Sequence, residues 1–112
     1  MAKNFVQPGD TITLTAPYAV ASGDGLLVGS IFGVATGVAG NGETVETALV
    51  GVFDLKKAPS QAWAVGDKIY WDNTNKETTS VATGNALIGI ATEAVGNGAG
   101  ETVGRVRLNG SF

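Results

Sequence analysis

The strongest constraint on what this chain folds into is that it contains a faint copy of itself. Gly9-Asp10-Thr11-Ile12 recurs as Gly66-Asp67-Lys68-Ile69, and Leu27-Val28-Gly29 recurs as Leu87-Ile88-Gly89. Val38-Ala39-Gly40-Asn41-Gly42, with Glu43-Thr44-Val45 behind it, recurs as Ala94-Val95-Gly96-Asn97-Gly98 followed by Glu101-Thr102-Val103. The offset stays between about 56 and 60 residues, roughly half the chain. Each half opens at a Gly-Asp turn, runs into an alternating strand, passes a glycine-punctuated apolar strand and reaches a Gly-Asn-Gly hairpin. Two such units bury their apolar faces on one another. The expectation is an all-β domain, a small sandwich or barrel built from two similar halves, with pseudo-repeats of about residues 9–55 and 61–110 behind an N-terminal arm, residues 1–8.

The local signals agree. Thr11 to Thr15 alternates, with Ile12 and Leu14 on one side and threonines on the other, the pattern of a half-buried strand. Asn41-Gly42 supplies the positive φ values of a tight hairpin turn. The seventeen glycines follow no collagen period and fall singly between apolar residues, as turns and close backbone approaches do. Short strands with turn signals every 8–12 residues argue against an α/β fold. At most one short helix fits, around Ser60 to Ala64. The expected core comprises Ile12, Leu14, Val28, Ile31, Val45, Leu49, Val52, Ile69, Trp71, Ile88, Ile90 and Val106. Lys56 to Ser60 reads as an exposed connection between the halves.

The same composition excludes most chemistry. The chain has no cysteine and no histidine, so thiolate and imidazole machinery, whether nucleophilic or metal-binding, is missing. The expectation is no enzyme, no metal and no cofactor. No Gly-x-x-x-x-Gly-Lys-Ser/Thr loop occurs, and Gly96-Asn97-Gly98-Ala99-Gly100 precedes a strand rather than a helix, so it is no dinucleotide loop. Seven Lys+Arg against ten Asp+Glu leave a net charge of −3, the wrong sign for a nucleic-acid footprint. The longest apolar run, Leu26 to Gly40, is too short for a bilayer span. The start, Met1-Ala2-Lys3-Asn4, lacks the apolar core of a signal peptide, which points to a protein made in a cytoplasm.

What remains are candidate contact residues. Phe5 and Val6 sit on an arm that Pro8-Gly9 cuts off from the first strand, an arrangement that lets the arm order on a partner. Arg105 and Arg107 alternate with Val106 and Leu108, so both leave the last strand on one side, toward solvent or an acidic partner surface. Trp63, beside an exposed loop, fits a core or an interface position.

Nearly the whole chain resembles a family of small tailed-phage proteins, the capsid cement or decoration proteins. The resemblance runs through Asn4-Phe5-Val6-Gln7-Pro8-Gly9-Asp10, Gly23-Asp24-Gly25-Leu26-Leu27-Val28-Gly29, Val65-Gly66-Asp67-Lys68-Ile69-Tyr70-Trp71-Asp72, Ile88-Gly89-Ile90-Ala91 and Val106-Arg107-Leu108-Asn109-Gly110. It implies a virion protein that binds the outside of the expanded capsid, contacts the major capsid protein, self-associates as a trimer, and carries no catalytic residues. Some members bear the label of a RecA/RadA-type phage recombinase. This chain has neither the nucleotide loop nor the length for that activity. The alternatives are another virion module, such as a head fibre or tail component, and a nucleic-acid-handling phage protein.

Overall fold

Short apolar runs punctuated by glycine turns become strands in the computed structural model, which describes residues 11–109. The strands are β1 (Thr11–Thr15), β2 (Gly25–Val28), β3 (Ile31–Ala35), β4 (Thr44–Ala48), β5 (Val50–Lys56), β6 (Lys68–Asp72), β7 (Glu77–Thr79), β8 (Ala86–Ala91) and β9 (Val103–Asn109). No helix occurs among the described residues. Where a short one fitted the sequence, the chain turns with Ser60 at φ 62° and enters a bridge at Trp63. Two antiparallel sheets form, one in the order β1-β4-β3-β2 and the other β5-β9-β8-β6-β7. The second sheet curls until its ends meet. Lys57, just past β5, bridges Thr78 of β7. The Ala58 N–H donates to the Thr78 carbonyl at 2.8 Å, and the Thr78 hydroxyl donates to the Lys56 carbonyl at 2.7 Å. The all-β, sandwich-like or barrel-like expectation is met.

The hydrogen bonds show where the repeat lies. The Ala21 N–H donates to the Asp24 carboxylate at 2.9 Å, and the Ala64 N–H donates to that of Asp67 at 2.8 Å. Between each pair sits a glycine at positive φ, Gly23 at 92° and Gly66 at 94°, a conformation that residues with a Cβ resist. The Gly23 N–H donates to the Ala35 carbonyl as the Gly66 N–H donates to that of Ala91, both at 2.8 Å. Val20 bridges Ala39 as Trp63 bridges Val95. The Ala16 N–H meets the Glu43 carbonyl as the Lys57 N–H meets that of Thr102, both at 2.8 Å. Across the strands, Thr13 bonds Glu46 where Asp54 bonds Arg105. So β1, β2, β3 and β4 correspond to β5, β6, β8 and β9, in the same spatial order. This corrects the partition at residues 9–55 and 61–110: β5 belongs to the second unit, and Gly66-Asp67 matches Gly23-Asp24 rather than Gly9-Asp10. The varying offset comes from residues 73–85, which insert β7 and its flanking turns where the first half runs from β2 directly into β3.

Alternation decides what is buried. The main core joins Phe32 and Val34 of the first sheet to Leu55, Trp63, Ile69, Trp71, Ile88, Ala91, Val106 and Leu108. The Phe32 and Trp71 rings lie 4.9 Å apart in a tilted pair. A smaller core of Ala16, Val20, Leu26, Ala35, Ala39 and Val45 lies on the other face of the first sheet, which leaves β3 covered on both sides. Of the expected core, Val45, Leu49, Ile69, Trp71, Ile88 and Val106 are buried; Ile12, Leu14, Val28 and Ile90 are half-buried. Ile31 and Val52 are exposed, at 39% and 53%. Val52 fails because the inward parity of Val45, Thr47 and Leu49 passes unbroken through Gly51 to Phe53 and Leu55. Ile31 precedes the inward-facing Phe32 and takes the outer side.

Candidate functional site

The outward face of the second sheet gathers the residues best suited to touch a partner. Register places Val52, Arg107, Ile90 and Lys68 in one row across β5, β9, β8 and β6. The next rows on that face pair Asp54 with Arg105 and Lys56 with Val103. Val50, Val52 and Val103 are exposed at 42%, 53% and 56%. They stand there because β5 and β9 each bury the alternate residues, Leu55 on one and Val106 and Leu108 on the other. The result is a face where valines alternate with charges. Lys56, Lys68, Arg105 and Arg107 lie on it together with Asp54, Glu93 and, by the alternation of β6 and its pairing with β7, Asp72 and Glu77.

The two arginines differ. Arg105 grips Asp54 through two N–H donors, at 2.9 and 3.2 Å, and Glu93 through a third at 3.1 Å. Those bonds hold the Asp54 carboxyl below the usual carboxylate range and push the guanidinium up. Arg105 thus fixes β9 to β5 and has fewer donors left for a partner. Arg107 is exposed and makes no ion pair among the described residues, so its planar fork is open to an incoming carboxylate.

Trp63 is not a surface contact. It is 2% exposed and packs in the main core over Gly104, because it stands at the position Val20 holds in the other half. Phe5 and Val6 lie outside the described residues. Lys57 is a second correction: the segment read as an exposed connection buries this side chain completely. It follows the inward parity of Leu55. Its ammonium donates to the carbonyls of Ala58 and Glu101 at 2.9 and 3.1 Å and lies 5.6 Å from the centre of the Trp63 ring. Burial lowers its pKa, and the nearby Glu101 opposes that shift.

A groove of about 260 Å³ lies between the sheets, lined by Tyr18, Asp24, Gly25, Lys56, Trp71 and Lys76 among others. Its polar groups are engaged with one another. The Tyr18 hydroxyl donates to the Gly25 carbonyl at 2.7 Å, and the Lys76 ammonium sits 4.4 Å from the centre of the Tyr18 ring while bonding Asn73. Among the described residues no group of three or more acidic side chains is placed to hold a metal ion. No helix there is long and apolar enough to cross a membrane.

The family model described as phage cement protein covers residues 6–108. No curated protein and no solved structure matches the chain.

Proposed function

The chain belongs to the phage cement proteins, structural virion components that associate with the capsid and stabilise it, and we propose that it works from the outer surface of the shell by binding the major capsid protein. The observation that carries the contact mode is the valine-and-arginine face of β5 and β9. Val50, Val52 and Val103 offer apolar area, and Arg107 offers a free bidentate donor, the residue type enriched in interface cores. The protein acts there as a homotrimer. A trimer matches the three-fold positions of an icosahedral lattice, and closed rotational symmetry makes its three shell contacts identical. It performs no catalysis: without cysteine or histidine the chain lacks the common nucleophile and base pairs. It is made in the cytoplasm of the bacterial host.

Co-sedimentation tests this reading. Purified protein is mixed with expanded shells, with unexpanded shells and with tail tubes. Binding to expanded shells is expected, and binding to tail tubes alone would replace the capsid with the tail as its site. Val52→Asp and Arg107→Glu should each weaken shell binding at least tenfold, about 1.4 kcal/mol. Both residues are exposed, so the fold should survive. Shell affinity unchanged in both variants would move the contact to another face.

A further inference from the structure

Gly-Asn-Gly stands at matching places in the two units, Gly40-Asn41-Gly42 between β3 and β4 and Gly96-Asn97-Gly98 between β8 and β9. The capsid reading uses neither. Asn-Gly is a reactive pair, because glycine has no Cβ to shield its backbone nitrogen from the side-chain amide before it. The flanking residues are the same in both loops, so only the fold can set the two apart. It holds them differently. The Gly42 N–H donates to the Ala16 carbonyl at 2.9 Å, and the Glu43 N–H closes the turn onto the Gly40 carbonyl at 3.0 Å. Gly42 sits at φ 87°, and the Glu43 carboxylate accepts the Gly40 N–H. The second loop is two residues longer, through Ala99-Gly100. Among the described residues the Gly98 N–H meets no acceptor, and Glu101 makes no bond to the Gly96 N–H. Only the Gly98 carbonyl is engaged, by the N–H groups of Ser60 at 3.4 Å and Glu101 at 3.1 Å. Residues 96–100 are exposed and lie outside any strand.

We propose that Asn97 is a site of spontaneous covalent modification, and that its turn protects Asn41 from the same reaction. The Gly98 nitrogen attacks the Asn97 Cγ, the bond from Cγ to Nδ2 breaks, and Nδ2 leaves as ammonia with the proton that the Gly98 nitrogen gives up. A cyclic imide remains. Water then opens the ring at one of its two carbonyl carbons. Breaking the new bond at Cγ restores the backbone and leaves aspartate. Breaking the original peptide bond leaves isoaspartate, with the chain rerouted through the side chain and one carbon longer. The net change consumes one water and releases one ammonia. Either product puts a negative charge in the loop, and isoaspartate also moves the Gly98 carbonyl that holds Ser60 and Glu101. The Glu101 carbonyl is one of the two that receive the buried Lys57 ammonium, so the reaction reaches the seat of that side chain. At Asn41 the attacking nitrogen must first give up its hydrogen bond and leave the turn.

The test uses the free full-length protein, without shells, so its outcome is independent of the capsid reading. The folded chain is aged at mildly alkaline pH and digested with trypsin. Lys56 and Lys76 lie between the two sites, so Asn41 and Asn97 fall in different peptides. Mass spectrometry with fragmentation then follows each asparagine as its amide is replaced by a carboxylate. Asn97 should convert at least about fivefold faster than Asn41, the factor that one net hydrogen bond supplies. The same ageing in concentrated urea should bring the two rates together, because the flanking residues are the same. Asn97→Gln should stop the change in its peptide and leave the rate at Asn41 as it was. Equal rates in the folded protein, faster conversion at Asn41, or a folded chain in which neither site reacts would each overturn the proposal. A preference for Asn97 that persists in urea would overturn it too, since the fold would then not be its cause.

Discussion

Exchanging the matching core positions of the two halves gives the sharpest test of the duplication. In the first half Val20 packs in a core with Val45; in the second Trp63 packs over Gly104. One unit uses two middling side chains, and the other uses one large side chain and none. Gly104 lies in ordinary strand conformation, so a methyl group there meets no backbone strain. It does meet the Trp63 ring: an added Cβ would stand 2.7 and 2.8 Å from the ring's Cη2 and Cε3, with Cζ3 closer still. A fully buried ring in a packed core has nowhere to move. Gly104→Ala should therefore cost near the upper end of the overpacking range, about 3 kcal/mol. Trp63→Val should cost about 2–4 kcal/mol, as large-to-small core changes do. The double variant recreates the valine half of the first-sheet arrangement and removes the clash. It should cost less than the sum, with a coupling of at least about 1 kcal/mol. Urea unfolding of all four proteins, with equal m-values as the control for two-state behaviour, measures this. Additive costs would mean that Gly104 and Trp63 are not complementary, and the positional equivalence of the halves would lose its packing basis.

Three further outcomes follow from the same structure. Burial, with Asp24 nearby, pushes Tyr18 from 10.0 up to about 12; the folded state keeps a proton the unfolded state releases, so stability should fall as pH rises between those values. Tyr18→Phe should abolish that fall, as denaturant titrations at about pH 8 and pH 11 would show. Lys57 has the opposite sign: its lowered pKa means the folded state binds fewer protons between that value and the ordinary lysine range. Stability should rise with pH across that window, and Lys57→Met should flatten the rise in the same titrations. Asp24→Ala and Asp67→Ala remove equivalent turn hydrogen bonds, so each should cost about 1 kcal/mol and the two losses should match in urea unfolding.

Much of the architecture was readable in the chain because two-residue periodicity survives in short strands. Ile69, Trp71, Val45 and Val106 were placed correctly by alternation alone. The repeat was visible, but its register slipped because Gly-Asp occurs three times, at residues 9–10, 23–24 and 66–67. The two that correspond are shown by their turn bonds, in which the carboxylate accepts the backbone N–H of the residue three before it, Ala21 and Ala64. Lys57 was misread for its charge, although it continues the parity of Leu55 by two residues. Trp63 stayed open between core and interface because of the exposed loop beside it, although its position matches Val20. Arg107 was legible as an outward residue of the last strand. The valines beside it were not, because β5 and β9 pair across some fifty residues of sequence and only the fold brings Val52 to Arg107.

The way the halves have diverged separates two tasks. The second unit carries both tryptophans of the core, Trp63 and Trp71, and closes its sheet through β7, while the first contributes Phe32 and Val34 to that core. The first is built from small side chains, Ala16, Val20, Ala35 and Ala39, and its sheet stays open at β1 among the described residues. The same cross-strand site holds Thr13 with Glu46 in the first sheet and Asp54 with Arg105 in the second. A paired guanidinium stiffens the face that also bears the exposed valines, where a docking surface has to keep its shape. The large aromatic side chains and the paired guanidinium are thus concentrated in the unit that bears the exposed valines. A duplicated fold permits that division because the first sheet is apolar on both faces: Phe32 and Val34 join the core of the second unit, and the smaller core lies on the side away from it.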